Sequence, residues 1–143
     1  MSTFVDATIK PKYVSKAYAA LAGYDTAAAF TVTGDVMVRC FGVVGATAIT
    51  STSGTTTLAL GTTELTTGII VATTVNNTQF AATDVWTDSS PANDVDLLSS
   101  DWFLIGGGAD IILTRSVDDL TAGTLTLYCE YIALSSDGAV VSA

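Results

Sequence analysis

From Ala29 onward apolar and polar residues alternate with a period of two, the pattern of strands that turn one face to a core. Phe30 and Val32 alternate with Thr31 and Thr33, and Gly34-Asp35 follows as a turn. Val36, Val38, Cys40 and Val44 then share one face with Gly42, while Met37, Arg39, Phe41 and Val43 take the other. Both faces are partly apolar, which places this strand inside a sheet rather than at its edge. Further strands are expected over 55–60, 68–75, 85–87, 101–105 and 111–117. The last runs over 124–134, with Leu125, Leu127, Cys129 and Tyr131 on one face and Thr124, Thr126, Tyr128 and Glu130 on the other. Residues 50–54, 61–67, 76–77, 88–94, 106–110 and 118–123 read as loops or turns, and 135–143 as a small, polar tail apart from Val140 and Val141. About eight strands separated by turns, with no helix-length pattern between them, predict an all-β chain folded as an antiparallel β-sandwich, jelly-roll-like in its strand number.

Residues 1–28 differ. Tyr13, Ala17 and Leu21 recur at a spacing of four, as do Val14 and Tyr18, between Pro11 and Gly23. This predicts a short amphipathic helix, with an extended arm as the rival because the tyrosines and Val14 also suit a strand. The expected organisation is an N-terminal arm or short helix over 1–28, a possible attachment segment, and a β-sandwich domain over 29–143.

Charge separates the same two parts. The 143 residues carry five basic and fourteen acidic side chains, for a net charge of −9. Lys10, Lys12 and Lys16 fall in the first part, leaving only Arg39 and Arg115 beyond it. So acidic a body repels phosphate backbones, so no nucleic-acid partner is expected. Nothing in the sequence approaches the roughly 18 continuous apolar residues of a membrane helix, and Met1 to Lys16 lacks a signal-peptide pattern, so synthesis in a cytoplasm and no membrane partner are expected. Cys40 and Cys129 are then expected as free, buried thiols.

The chain contains no histidine, which removes Ser-His-Asp and Cys-His catalysis and histidine-bearing metal sites. Neither an enzymatic activity, a cofactor nor a small-molecule substrate is expected. Gly106-Gly107-Gly108 lacks the lysine of a phosphate loop and reads as a hairpin turn. Asp94, Asp96 and Asp101 lack the spacing of a calcium loop and read as solvated carboxylates, so no metal is expected. Trp86 and Trp102 are expected in the core or at an interface, with a sugar-stacking platform as the rival. Arg39 and Glu130 would form a salt bridge if their strands are neighbours.

Four spaced segments resemble proteins of tailed-phage virions. They are Phe30-Thr31-Val32-Thr33-Gly34-Asp35-Val36-Met37-Val38-Arg39 with Gly42-Val43-Val44, Gly107-Gly108-Ala109-Asp110-Ile111-Ile112-Leu113-Thr114, Thr121-Ala122-Gly123-Thr124-Leu125, and Leu134-Ser135-Ser136-Asp137-Gly138-Ala139. The resemblance spans residues 29–140 and implies a virion structural protein of the head decoration, cement or head-fibre type, made in the host cytoplasm. Its implied partners are the major capsid protein and further copies of itself, a trimer by preference. Contacts are expected from Lys10, Lys12, Tyr13, Lys16 and Tyr18 of the N-terminal part and from Arg39. The alternatives are a receptor- or carbohydrate-binding module of a fibre, which predicts exposed aromatics on one face with Trp86, Trp102 or Tyr128 among them; a tail-tube or head-completion protein; and a small hydrolase using carboxylates alone.

Overall fold

The two longest alternating stretches form the middle of the fold. Val36–Val44 and Leu125–Ala133 pair antiparallel over nine residues, from Val36 against Ala133 to Val44 against Leu125, and each buries the face its alternation marks as apolar. The computed structural model describes residues 10–76, 78–88, 90–93 and 101–143. Among these residues the regular structure is all β, in thirteen strands: β1 (Lys12–Tyr18), β2 (Ala27–Thr33), β3 (Val36–Val44), β4 (Thr50–Ser51), β5 (Thr57–Gly61), β6 (Ile70–Thr74), β7 (Asp84–Trp86), β8 (Ala92–Asn93), β9 (Phe103–Ile105), β10 (Ile111–Arg115), β11 (Leu120–Ala122), β12 (Leu125–Ala133) and β13 (Ala139–Ser142).

One sheet has six strands in the order β1-β12-β3-β7-β8, with β9 also on β3; a second has the order β13-β2-β10-β5-β6; β4 and β11 pair separately. All pairings are antiparallel. The inward residues of the two large sheets, such as Val36, Val38 and Leu127 from one and Phe30, Leu58 and Leu113 from the other, belong to a single buried cluster, which makes the fold a β-sandwich. Each such side chain contributes about 1.5–3 kcal/mol by leaving water.

Several expectations need correction. Residues 13–23 form no helix; the extended alternative holds for Lys12–Tyr18, an edge strand paired along its whole length with β12. A spacing of four is also a multiple of two, so Tyr13 and Ala17 share a strand face as readily as a helix face. The aromatic and β-branched residues there favour the strand, and Pro11 precedes an edge, where a missing N–H costs nothing. β2 likewise begins at Ala27, so strands run across the boundary drawn between residues 28 and 29. The strand count also exceeds eight, because β1, β4, β8, β11 and β13 fall in segments read as arm, loop or tail.

The turn at Gly106 to Gly108 is no hairpin. It carries the chain from β9 in the first sheet to β10 in the second, with φ of +70° at Gly107 and +75° at Gly108. Side chains there would be strained, which is why glycines occupy it. A further left-handed residue has no such excuse. Val117 sits at φ +55° and is 80% exposed. A β-branched residue in that conformation costs about 1–2 kcal/mol, and little burial offsets it. Val117→Asn is expected to raise the free energy of unfolding by about 1 kcal/mol, measured by chemical denaturation; an unchanged or lower value would show that the strain is absent.

Candidate binding face

The two sheets present unlike outer faces. The five-stranded sheet shows Thr31, Thr33 and Val141 to solvent and, among the described residues, no aromatic ring from its strands. The six-stranded sheet shows a ladder of large side chains, because β1, β12 and β3 lie side by side in register.

One row across that ladder is polar. Tyr13, Glu130 and Arg39 stand directly opposite one another on β1, β12 and β3. Tyr13 Oη donates to Glu130 Oε1 at 2.9 Å, and Arg39 donates from Nε to Glu130 Oε2 at 3.0 Å and from Nη2 to the same oxygen. The expected salt bridge is therefore present, its side chains 28% and 12% exposed for Arg39 and Glu130. The hydrogen bond to the Glu130 carboxylate pushes ionisation of the Tyr13 phenol up. The guanidinium lies over the Trp102 ring, 5.1 Å from its centroid, a cation–π contact.

The next row, two residues along each strand and about 7 Å away, is aromatic. Ser15, Tyr128 and Phe41 face one another, with the rings of Phe41 and Tyr128 stacked at 5.0 Å and 17°. Between this pair and β1 lies a depression of about 280 Å³ lined by Tyr13, Val14, Ser15, Phe41 and Tyr128. Tyr13 is 76% exposed and Tyr128 39%.

The other predicted contact residues gather at the edge instead. Lys12, Lys16 and Tyr18 lie on the opposite side of β1, the side that Val14 turns to the core. Lys16 Nζ donates to the Ala143 carbonyl oxygen just beyond β13 and sits 5.9 Å from the Tyr18 ring. Tyr18 packs edge-on against Tyr24 at 5.4 Å, and burial pushes its phenol pKa far up. Lys10 is exposed just before the strand. The six predicted residues thus divide into a basic edge, Lys10, Lys12, Lys16 and Tyr18, and a face, Tyr13 and Arg39.

Three further candidates resolve. Trp86 is fully buried, its Nε1 donating to Thr73 Oγ1 at 2.8 Å and its ring edge-on to Phe80, so it belongs to the core. Cys40 and Cys129 are free and buried, and they stand opposite each other on β3 and β12. A hydrogen bond with the Cys129 thiol, then burial, holds Cys40 well above the usual thiol pKa, which makes it a poor nucleophile. Asp94 and Asp96 lie outside the described residues, as does Asn77 of the expected turn. Phe41, whose ring completes the depression, was not singled out by sequence; its signal was its place beside Arg39 on the outward side of an alternating strand.

No protein-family model matches the chain, and no curated protein matches it in sequence. In structure it is similar to a chain of the cyanophage Pam1 capsid asymmetric unit. The likeness covers 87% of this chain and 84% of the other, at 15% identity and a TM-score of 0.41.

The four segments noted in the sequence meet in the fold. At the turn between β2 and β3, Gly108 N donates to Gly34 O at 3.0 Å and Gly107 N to Asp35 Oδ1 at 2.9 Å. Asp35 N donates to Ser135 Oγ, and Leu134 N to Asp35 O, both at 2.9 Å. Asp110 Oδ1 accepts from Val32 N at 3.0 Å. At the far end of β3, Leu125 pairs with Val44 and Gly45 N donates to Thr124 O at 2.8 Å. Backbone groups at one end of the sandwich are thus satisfied by Asp35, Asp110 and Ser135.

Proposed function

We propose that the protein is a non-enzymatic structural component of a tailed-phage virion that attaches to the outside of the capsid and reinforces it. The observation that carries this reading is the convergence of the four resembling segments: the second and fourth close on the Gly34-Asp35 turn of the first, and the third pairs with its Val44 end. Segments scattered over residues 29–140 are thus neighbours that hold one another in place, as a shared architecture requires. Their hydrogen bonds hold the turns in place, Asp35 and Asp110 each accepting a backbone N–H.

The basic edge supplies an orientation. Three of the five cationic side chains, Lys10, Lys12 and Lys16, lie at or beside β1 on an otherwise acidic body. Such a dipole turns β1 toward carboxylates on a shell and the acidic remainder toward solvent. Lys16 is partly engaged by Ala143, so Lys10 and Lys12 carry the contact in this reading.

Co-sedimentation with capsids of the phage that encodes the chain tests it. The protein is expected to pellet with capsids and not alone. Lys10→Glu with Lys12→Glu is expected to weaken binding by about tenfold or more and to shift it to lower salt, as charge-steered contacts do. Protein left in the supernatant at every capsid concentration would overturn the reading. Because β1 belongs to the sheet, these charge reversals are a cleaner probe than deleting residues 1–28.

A further inference from the structure

We infer that the outer face of the six-stranded sheet is a carbohydrate-binding platform, on which Tyr13, Phe41 and Tyr128 receive the apolar face of a pyranose ring while Glu130, Arg39 and Ser15 bond its hydroxyls. The inference concerns a surface other than the basic edge and does not depend on attachment to a capsid.

A pyranose has a face of C–H groups and a rim of hydroxyls. It needs an aromatic surface beneath it and hydrogen-bonding groups at its side, and this face offers the two in adjacent rows. The C–H groups are weakly positive and the aromatic face is negative, so the two attract. Tyr13 and Tyr128 are exposed and flank, with the stacked Phe41, a depression of about 280 Å³. That is slightly below the roughly 300–1,000 Å³ of pockets for drug-sized ligands, a scale suited to one sugar ring with its neighbours left in solvent.

The polar row has capacity to spare. A carboxylate offers about four acceptor positions, and among the described residues Glu130 uses three of them, on Tyr13 Oη, Arg39 Nε and Arg39 Nη2. A guanidinium has five N–H donors, of which the same pair of bonds takes two. The ion pair is therefore held in place and still presents bonding positions beside the aromatic row. The hydroxyl of exposed Ser15 adds a donor and an acceptor in the aromatic row itself.

The same pair argues against a second copy as the occupant. A stable protein interface covers about 800 Å² on each partner and is depleted of charge at its centre. Here an ion pair stands in the row next to the aromatic stack, and a protein laid across it would strip its water without a matching partner. A ligand rich in hydroxyls would not.

The full chain should be applied to an array of bacterial surface polysaccharides and short oligosaccharides, with the retained saccharides titrated by calorimetry. Retention of a defined subset is expected, and Tyr13→Ala and Tyr128→Ala should each weaken it by about tenfold or more, about 1.4 kcal/mol, while Val141→Ser on the opposite sheet leaves it unchanged. Circular dichroism checks that each variant folds; should Tyr128→Ala not fold, Tyr13→Ala decides, since its ring is mostly in solvent. The inference is overturned if no saccharide is retained, or if Tyr13→Ala binds as wild type does. It is equally overturned if sedimentation equilibrium shows a dimer that Tyr13→Ala converts to monomer, for then a second copy covers the face.

Discussion

Trp86→Ala is expected to lower the free energy of unfolding by about 4 kcal/mol, within the range of about 3–5 for large aromatic truncations in cores. Three losses combine. The ring is fully buried, so its removal leaves a cavity lined by side chains from both sheets. Phe80 loses the edge-on partner 5.2 Å away. Thr73 Oγ1 loses the indole donor at 2.8 Å, although its own hydroxyl still reaches the carbonyl oxygens of Val71 and Asp88 at 3.0 Å. The inward face of β3 cannot fill the gap, because it places Gly42 opposite Trp86, where an added Cβ would already lie 3.1 Å from the indole. At about 2–4 °C per kcal/mol for a chain of this size, the melting temperature should fall by roughly 8–16 °C. Trp86→Phe, which keeps most of the volume and forfeits the hydrogen bond, should cost about 1–2 kcal/mol. A loss below about 1 kcal/mol for Trp86→Ala would be incompatible with a core position.

Arg39→Ala is expected to cost about 2 kcal/mol, as hydrogen bonds to charged groups in partly buried sites do. It leaves the Glu130 carboxylate, 12% exposed, with the Tyr13 hydroxyl as its remaining bond to this cluster, and it uncovers the Trp102 ring. The guanidinium is 28% exposed, so solvent screening keeps the cost below the roughly 3–5 kcal/mol of breaking a fully buried pair. Denaturation of Arg39→Ala, Glu130→Ala and the double variant closes a thermodynamic cycle. The double variant should be more stable than additivity allows by about 1–2 kcal/mol. Strictly additive costs would mean that the two side chains stand near each other without interacting.

That Arg39 and Glu130 stand on outward faces, and would pair if their strands were neighbours, was legible in the sequence. β3 and β12 are each nine residues of clean alternation, so every side chain could be assigned to a face before the strands were known to be neighbours. The identity of that neighbour was not legible. Gly34-Asp35 and Gly106 to Gly108 announce turns, but a turn reads the same whether the chain folds back on its own sheet or crosses to the other, and both of these cross. Strands of two to four residues, such as β4, β8, β11 and β13, hold too little pattern to be read. Trp86 sits in a three-residue strand that does not by itself fix its face, and it lies in the core, the first of the two readings the sequence offered. For the binding face, sequence named Tyr13, Arg39, Trp102 and Tyr128 in separate arguments; only register joins them and adds Phe41.

The edge strand β1 has a consequence for assembly. Among the described residues no further strand is hydrogen-bonded to the outer side of its seven residues, the kind of border on which another sheet can grow. Lys12 and Lys16 stand on its core-facing side, so an incoming strand would have to bury or displace two ammonium groups. Antiparallel docking of two such borders centred on Val14 would set Lys12 against Lys16 of the other copy. Like charges facing each other across such a seam disfavour the fusion of two copies into a continuous ribbon.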